Sequence, residues 1–165
     1  MPGSEDRVLL RLATAEDVDL VFDFVHQLAE YEKLAHEVVA DVAQLKRSLF
    51  GQRPAAEVLF AFVDDMPAGF AVFFHNFSTF LGKPGIYLED LFVLPKLRRR
   101  GIGKRLLQRI AQLAVERGCG RFEWSVLDWN DPAKEFYRRH GAEPMEEWTV
   151  YRVTGESLQQ LASGD

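Results

Sequence analysis

Apolar residues recur along this chain in two rhythms, one helical and one alternating, and each predicts an element. Residues 8–12 form a short β-prone run. Thr14 with Asp17 three residues on is a capping-box start. Val18, Val21, Phe22, Val25, Leu28 and Ala29 follow at helical spacing and predict a helix to about Tyr31. Asp41 is placed to cap a second helix with Val42, Leu45 and Leu49 on one side. Residues 57–63 and 68–77 read as two strands joined by a turn at 64–67, residues 78–85 as a loop, and residues 86–93 as a further strand. Gly101 and Gly103 then precede an amphipathic helix with Ile102, Leu106, Ile110, Leu113 and Ala114 inward, which Gly118 ends.

Residues 121–126 predict a strand. Pro132 suits the first turn of a helix that Gly141 ends. A late strand over 148–153 and a closing helix over 156–162 complete the order. A hairpin followed by strand–helix–strand–helix–strand predicts an α/β fold, with a partly antiparallel central sheet carrying helices on both faces. The length, 165 residues, fits one domain, and no linker or repeat divides residues 1–165.

Charge sharpens the picture. The net charge is −5, yet residues 96–109 hold seven of the 20 basic residues and no acidic one, leaving 13 basic residues against all 25 acidic ones elsewhere. One cationic island in an anionic chain predicts a localised anion site and argues against nucleic acid as a partner. Cys119 is the single cysteine, which excludes an intrachain disulfide and a thiolate metal cluster. His26, His36, His75 and His140 form no metal-ligand spacing, so no metal is expected. The first residues, MPGSED, lack the pattern of a signal peptide. The uncharged stretch 69–82 is broken by His75, Asn76, Ser78 and Thr79 and falls short of the roughly 20 apolar residues of a membrane span. A cytoplasmic protein without a membrane partner is the expectation.

The island itself follows a strand and opens a helix. Helix N-termini present unpaired N–H groups and partial positive charge, glycine permits close approach, and Arg98, Arg99, Arg100 and Lys104 add cations. Together they suit a diphosphate. The segment is neither a Walker loop, since Arg105 replaces Ser/Thr, nor a dinucleotide fingerprint, since Leu106 replaces the third glycine.

Arg98-Arg99-Arg100-Gly101-Ile102-Gly103 resembles the Arg/Gln-x-x-Gly-x-Gly/Ala motif of the GNAT N-acetyltransferase superfamily. Residues 86–93 (IYLEDLFV), 127–132 (LDWNDP) and 136–142 (FYRRHGA) resemble its spermidine/spermine branch, and 28–34 (LAEYEKL) its relative, thialysine N-ε-acetyltransferase. The resemblance runs from about Val8 to Val153. It implies a GNAT-like fold, acetyl-CoA as co-substrate, a small amine as acceptor and a homodimer. Leu91, Phe92 and Val93 then match the strand receiving the pantetheine arm. Arg98, Arg99, Arg100, Gly101, Ile102, Gly103 and Lys104 match the pyrophosphate loop, and Asn130 and Ala133 the other side of CoA. Tyr137 matches the catalytic tyrosine and Glu89 the substrate-side carboxylate.

An alkylammonium with a pKa of about 10.4 must lose a proton before it attacks a thioester. Glu89 is placed as base or water-orienting group, with no covalent acyl-enzyme required, and N–H groups near Leu91 as oxyanion donors. Tyr137, a phenol, is placed to protonate the departing thiolate. Strand alternation puts Asp90 on the face opposite Glu89 unless a bulge intervenes. Gln27, Glu89, Asp90, Phe80 and Trp148 are the substrate-side residues the resemblance implies. Gln27 and Ser78 stand where the polyamine pattern has acids, which favours a small primary amine such as a lysine-like amino acid over a long polycation. Tyr31, Phe80 and 148–153 are the expected contributors at a subunit interface. The alternative activities are a non-catalytic acyl-CoA sensor, which needs no proton donor, and a nucleic-acid module built on Arg98–Arg105.

Overall fold

The computed structural model describes residues 7–164. The chain divides after Ser125 into two compact units. The first is built on a five-stranded sheet of order β1-β2-β3-β4-β5: β1 (Val8–Leu12), β2 (Glu57–Val63), β3 (Met66–Ser78), β4 (Lys83–Val93) and β5 (Phe122–Trp124). The first four strands pair antiparallel, and β5 joins β4 in parallel. A parallel neighbour needs a crossover, and α3 (Ile102–Glu116) supplies it.

The local signals explain the helices. The Asp17 carboxylate accepts from the Thr14 backbone N–H at 2.7 Å, opening the short turn that leads into α1 (Val18–Tyr31). Asp41 and Gln44 form a reciprocal box at the start of α2 (Val42–Phe50), with bonds of 2.7 and 2.9 Å. Val21, Phe24 and Leu28 of α1 and Leu49 of α2 pack with Val58, Phe60, Phe70, Val72 and Phe92 on one sheet face. Phe24 stacks on Phe70 with centroids 5.1 Å apart. Helix α3 contacts β2, β3 and β4 and buries Ile102, Leu106, Leu107, Ile110, Leu113 and Ala114.

Element types in this unit follow the sequence pattern, but several bounds differ. Lys83, Pro84 and Gly85, expected in a loop, belong to β4, because they pair with Ser78, Phe77 and Asn76 of β3. The strand expected over 121–126 is three residues long, ending where its pairing with β4 stops at Leu88.

The second unit carries α4 (Asp131–Arg139) and α5 (Gly155–Ser163), neither of which buries a residue. The strand expected over 148–153 is absent: the segment has no ladder partner among the described residues, and Trp148, Val150 and Tyr151 are exposed. β-prone residues make a segment able to pair, but only a ladder partner makes it a strand. Among the described residues no helix is long and apolar enough to cross a membrane.

Candidate active site

The site of interest begins at a defect in the β3–β4 ladder. Val72 lies opposite Asp90, but the next β3 residue, Phe73, lies opposite Leu88. Glu89 is therefore the extra residue of a bulge. Residues directly opposite share a face, and one inserted residue reverses the alternation. Leu88 keeps company with Phe73, while Asp90 joins Val72 and Phe92 on the face covered by α1. Glu89 stays exposed and Asp90 becomes half-buried.

Beyond the bulge β4 runs on without β5, whose pairing covers only Ile86–Leu88. The backbone of Leu91, Phe92 and Val93 is thus held on the β3 side and not by β5. This is the segment the resemblance assigns to a pantetheine arm. Gly69 permits the close ladder here, because a Cβ on it would stand 2.6 Å from the Phe92 carbonyl oxygen.

The chain then turns through Pro95–Leu97 and enters α3. Gly101 caps the helix at φ +75, a left-handed conformation that costs a side-chain-bearing residue about 1 kcal/mol or more. It has no side chain to offer the first N–H groups. The first bond into the helix runs from Arg105 N to Gly101 O, so the N–H groups of Ile102, Gly103 and Lys104 point ahead of the helix without an intrahelical acceptor. A Cβ built on Gly101 meets nothing within 4 Å, so the approach is open. Arg99, Arg100 and Lys104 are exposed around it. Acetyl-CoA fits this arrangement: its diphosphate needs clustered donors, positive charge and room for bulky oxygens.

Arg98 is differently engaged. It is half-buried, its Nε donates to Val93 O at 2.9 Å, and its guanidinium lies 4.3 Å from the Tyr31 ring centroid and 5.4 Å from that of Phe92.

Two carboxyls on this side of the sheet, Asp90 and Glu32, are raised above the ordinary range. Burial, then the charges of Glu89 and Glu32, push Asp90 up to about 7. Burial also raises Glu32, which caps the C-terminus of α1. Sequence reasoning did not single out Glu32. No local signal marks it, because its importance comes from the approach of α1 to a strand nearly sixty residues away in the chain.

The remaining predicted residues lie elsewhere. Gln27, on α1, donates to Asp23 at 2.9 Å. Phe80 is fully exposed in the β3–β4 connection. In the second unit, buried Asn130 caps α4 and accepts from the Ala133 N–H at 3.3 Å. Tyr137 lies on α4 beside Phe136, with ring centroids 5.4 Å apart. Trp148 is exposed. No group of three or more His, Cys, Asp or Glu among the described residues is arranged to hold a metal ion.

Comparison with known proteins agrees with this geometry. The chain is similar to an L-ornithine N5-acetyltransferase of Arabidopsis thaliana, with 34% identity covering 92% of this chain and 86% of the relative. It is equally similar to the thialysine N-epsilon-acetyltransferase of Sus scrofa, at 34% identity over 94% of this chain and 97% of that protein. Among solved structures, an integron cassette protein from the mobile metagenome of V. cholerae superposes with a TM-score of 0.79 at 28% identity, covering 94% of this chain and 97% of that one. Residues 23–142 match the acetyltransferase (GNAT) family model, a span that includes the β4 bulge, the arginine–glycine turn and α4. The chain therefore belongs to the GNAT acetyltransferase family and is an N-acetyltransferase.

Proposed function

We propose that this protein transfers the acetyl group of acetyl-CoA to a small primary amine, a lysine- or ornithine-like amino acid or a diamine, by direct attack. The observation that carries the reading is the sequence of features along one strand: a carboxylate-bearing bulge, a stretch of β4 released by β5, and an open helix N-terminus ringed by cations. The relatives' ornithine and thialysine specificities support the acceptor class. Residues 1–165 act as one N-acetyltransferase domain, and the family match runs across the boundary between the two units.

In this reading acetyl-CoA supplies an activated acetyl group as a thioester. The N–H groups of Ile102, Gly103 and Lys104, with Arg99 and Arg100, hold its diphosphate at the turn capped by Gly101. The backbone of Leu91, Phe92 and Val93 receives the pantetheine arm, and Asn130 and Ala133 contribute to its other side. Glu89 acts as base or water-orienting group for the amine nitrogen, and its exposure on the bulge leaves it hydrated for a water relay. Tyr137 gives its phenolic proton to the departing sulfur. Gln27, Asp90, Phe80 and Trp148 shape the amine side, and the protein works as a cytoplasmic homodimer.

The test is a thiol-release assay with acetyl-CoA across ornithine, thialysine, lysine, putrescine and spermidine. Turnover is expected with at least one of the shorter acceptors and weakest with spermidine. Tight binding of acetyl-CoA with no transfer to any of them would identify an acyl-CoA sensor instead.

A further inference from the structure

Arg98 opens the arginine–glycine run, yet its contacts lie behind the turn rather than ahead of it. Its Nε bonds to Val93 O at 2.9 Å at the end of β4. Its guanidinium lies 4.3 Å from the centroid of Tyr31, the last residue of α1, and 5.4 Å from that of Phe92. The Tyr31 and Phe92 rings are themselves 6.3 Å apart. One cation thus ties the end of a helix to the end of a strand through a hydrogen bond and two aromatic faces.

The tie spans a region of like charge. Glu32 directly follows Tyr31, and Asp90 lies two residues before Phe92 on the same strand face. Both carboxyls are held up by burial, and Glu32 and Glu89 further oppose charge on Asp90. Repulsion between Glu32 and ionised Asp90 pushes the helix end away from the strand. The Arg98 contacts oppose that separation.

We propose that Arg98 is a positioning residue for the amine-side chemistry: its guanidinium, spent on Tyr31 and Val93 O, clamps the end of α1 to β4 and keeps Glu32 beside Asp90. The diphosphate is left to the helix N–H groups, Arg99, Arg100 and Lys104. The inference rests on the acetyl-transfer reading above.

Its consequence is a pH response. Asp90 faces Glu89 from its own strand and Glu32 from α1. Its partner on β3, Val72, is uncharged, and the nearby turn contributes Arg98, laid over Tyr31 and Phe92. With Glu32 clamped in place, Asp90 titrates near neutrality, so an incoming ammonium competes with a proton for the same oxygens. Releasing Glu32 removes one of the two opposing charges, and Asp90 ionises at lower pH.

Two variants remove the clamp from opposite sides, Arg98→Gln from the turn and Tyr31→Leu from α1. The carbon-13 resonance of the Asp90 carboxyl, titrated in the wild type and both variants, reads the effect without any turnover. Its midpoint is expected to fall in both. For one amine, a group titrating at about 7 contributes about a tenfold rise in kcat/KM from pH 6 to pH 8, and one titrating a unit lower only about twofold. The amine's own titration is common to all three proteins, so the rise is expected to shrink several-fold in the variants.

Calorimetric binding of CoA at two salt concentrations gives a second readout. Arg99→Gln is expected to flatten the dependence of affinity on salt, while Arg98→Gln keeps the wild-type slope. An unmoved Asp90 midpoint in both variants, or a salt slope flattened by Arg98→Gln as much as by Arg99→Gln, would overturn the inference. Should Arg98→Gln fail to fold, the Tyr31→Leu titration decides. Absence of acetyl transfer by the wild type would sink the acetyl-transfer reading, while the resonance titration still judges the clamp.

Discussion

Replacing Asp90 with asparagine is expected to stabilise the protein at alkaline pH and to do so much less in acid. An ordinary aspartate ionises near 3.8, and burial with Glu89 and Glu32 moves Asp90 to about 7. Each unit of difference between folded and unfolded states is worth about 1.4 kcal/mol. Because the folded-state value is raised, ionisation is the unfavourable event. The cost is near zero below the unfolded value, grows as pH rises through the interval, and is fully present above about 7. The three-unit displacement corresponds to roughly 4 kcal/mol at pH 8 and under about 2 kcal/mol at pH 5. The asparagine amide keeps the shape of the carboxyl and loses its charge, so its pH-independent effects cancel between the two conditions. Urea unfolding of wild type and Asp90→Asn at pH 5 and pH 8 is then expected to show a stability difference about 2–3 kcal/mol more favourable to the variant at pH 8. An equal difference at both pH values would refute a carboxyl held near neutrality between the bulge and the end of α1.

Tyr137→Phe is expected to lower kcat by about 10²-fold or more while leaving the calorimetric affinity for CoA within about twofold, since it deletes one proton and little surface. Gly101→Ala is expected to cost about 1 kcal/mol in thermal or urea unfolding. Its φ is +75 and a Cβ there meets nothing, so the whole penalty is backbone conformation; a neutral result would mean the turn is not held left-handed. The bidentate bonds from Arg11, with further help from the Thr14 N–H, hold Asp17 down at about 2. The stability this pair gives is therefore present above the unfolded value near 3.8 and is lost as pH falls toward 2. Asp17→Asn should flatten the acid-unfolding profile of the wild type in that window, as followed by circular dichroism.

Much of this protein is legible before folding, because the responsible forces are local. The caps at Thr14 and Asp41 and the inward stripe of α3 each depend on residues within a few positions of one another. The arginine–glycine run belongs to the same class: a helix start is an anion site wherever it is placed. The element order of the first unit and its mixed sheet follow from these pieces, with strand ends displaced where pairing sets them.

What the chain could not announce depends on partners distant in sequence. The opposition of Val72 to Asp90 and of Phe73 to Leu88 is a property of two strands meeting, and it alone puts Asp90 inside and leaves Glu89 out. The pairing of Arg98 with Tyr31 joins residues 67 positions apart, and Glu32 acquires its influence by the same approach. The 148–153 segment shows the converse: its apolar residues suit a strand, but among the described residues it has no ladder partner, and Trp148, Val150 and Tyr151 stay exposed. Sequence by itself determined which segments turn, coil and cap, since those choices are settled by short-range sterics and hydrogen bonds. Tertiary structure decided which carboxyl is buried and which arginine is already engaged, because desolvation and charge act through space, between groups that only folding brings together.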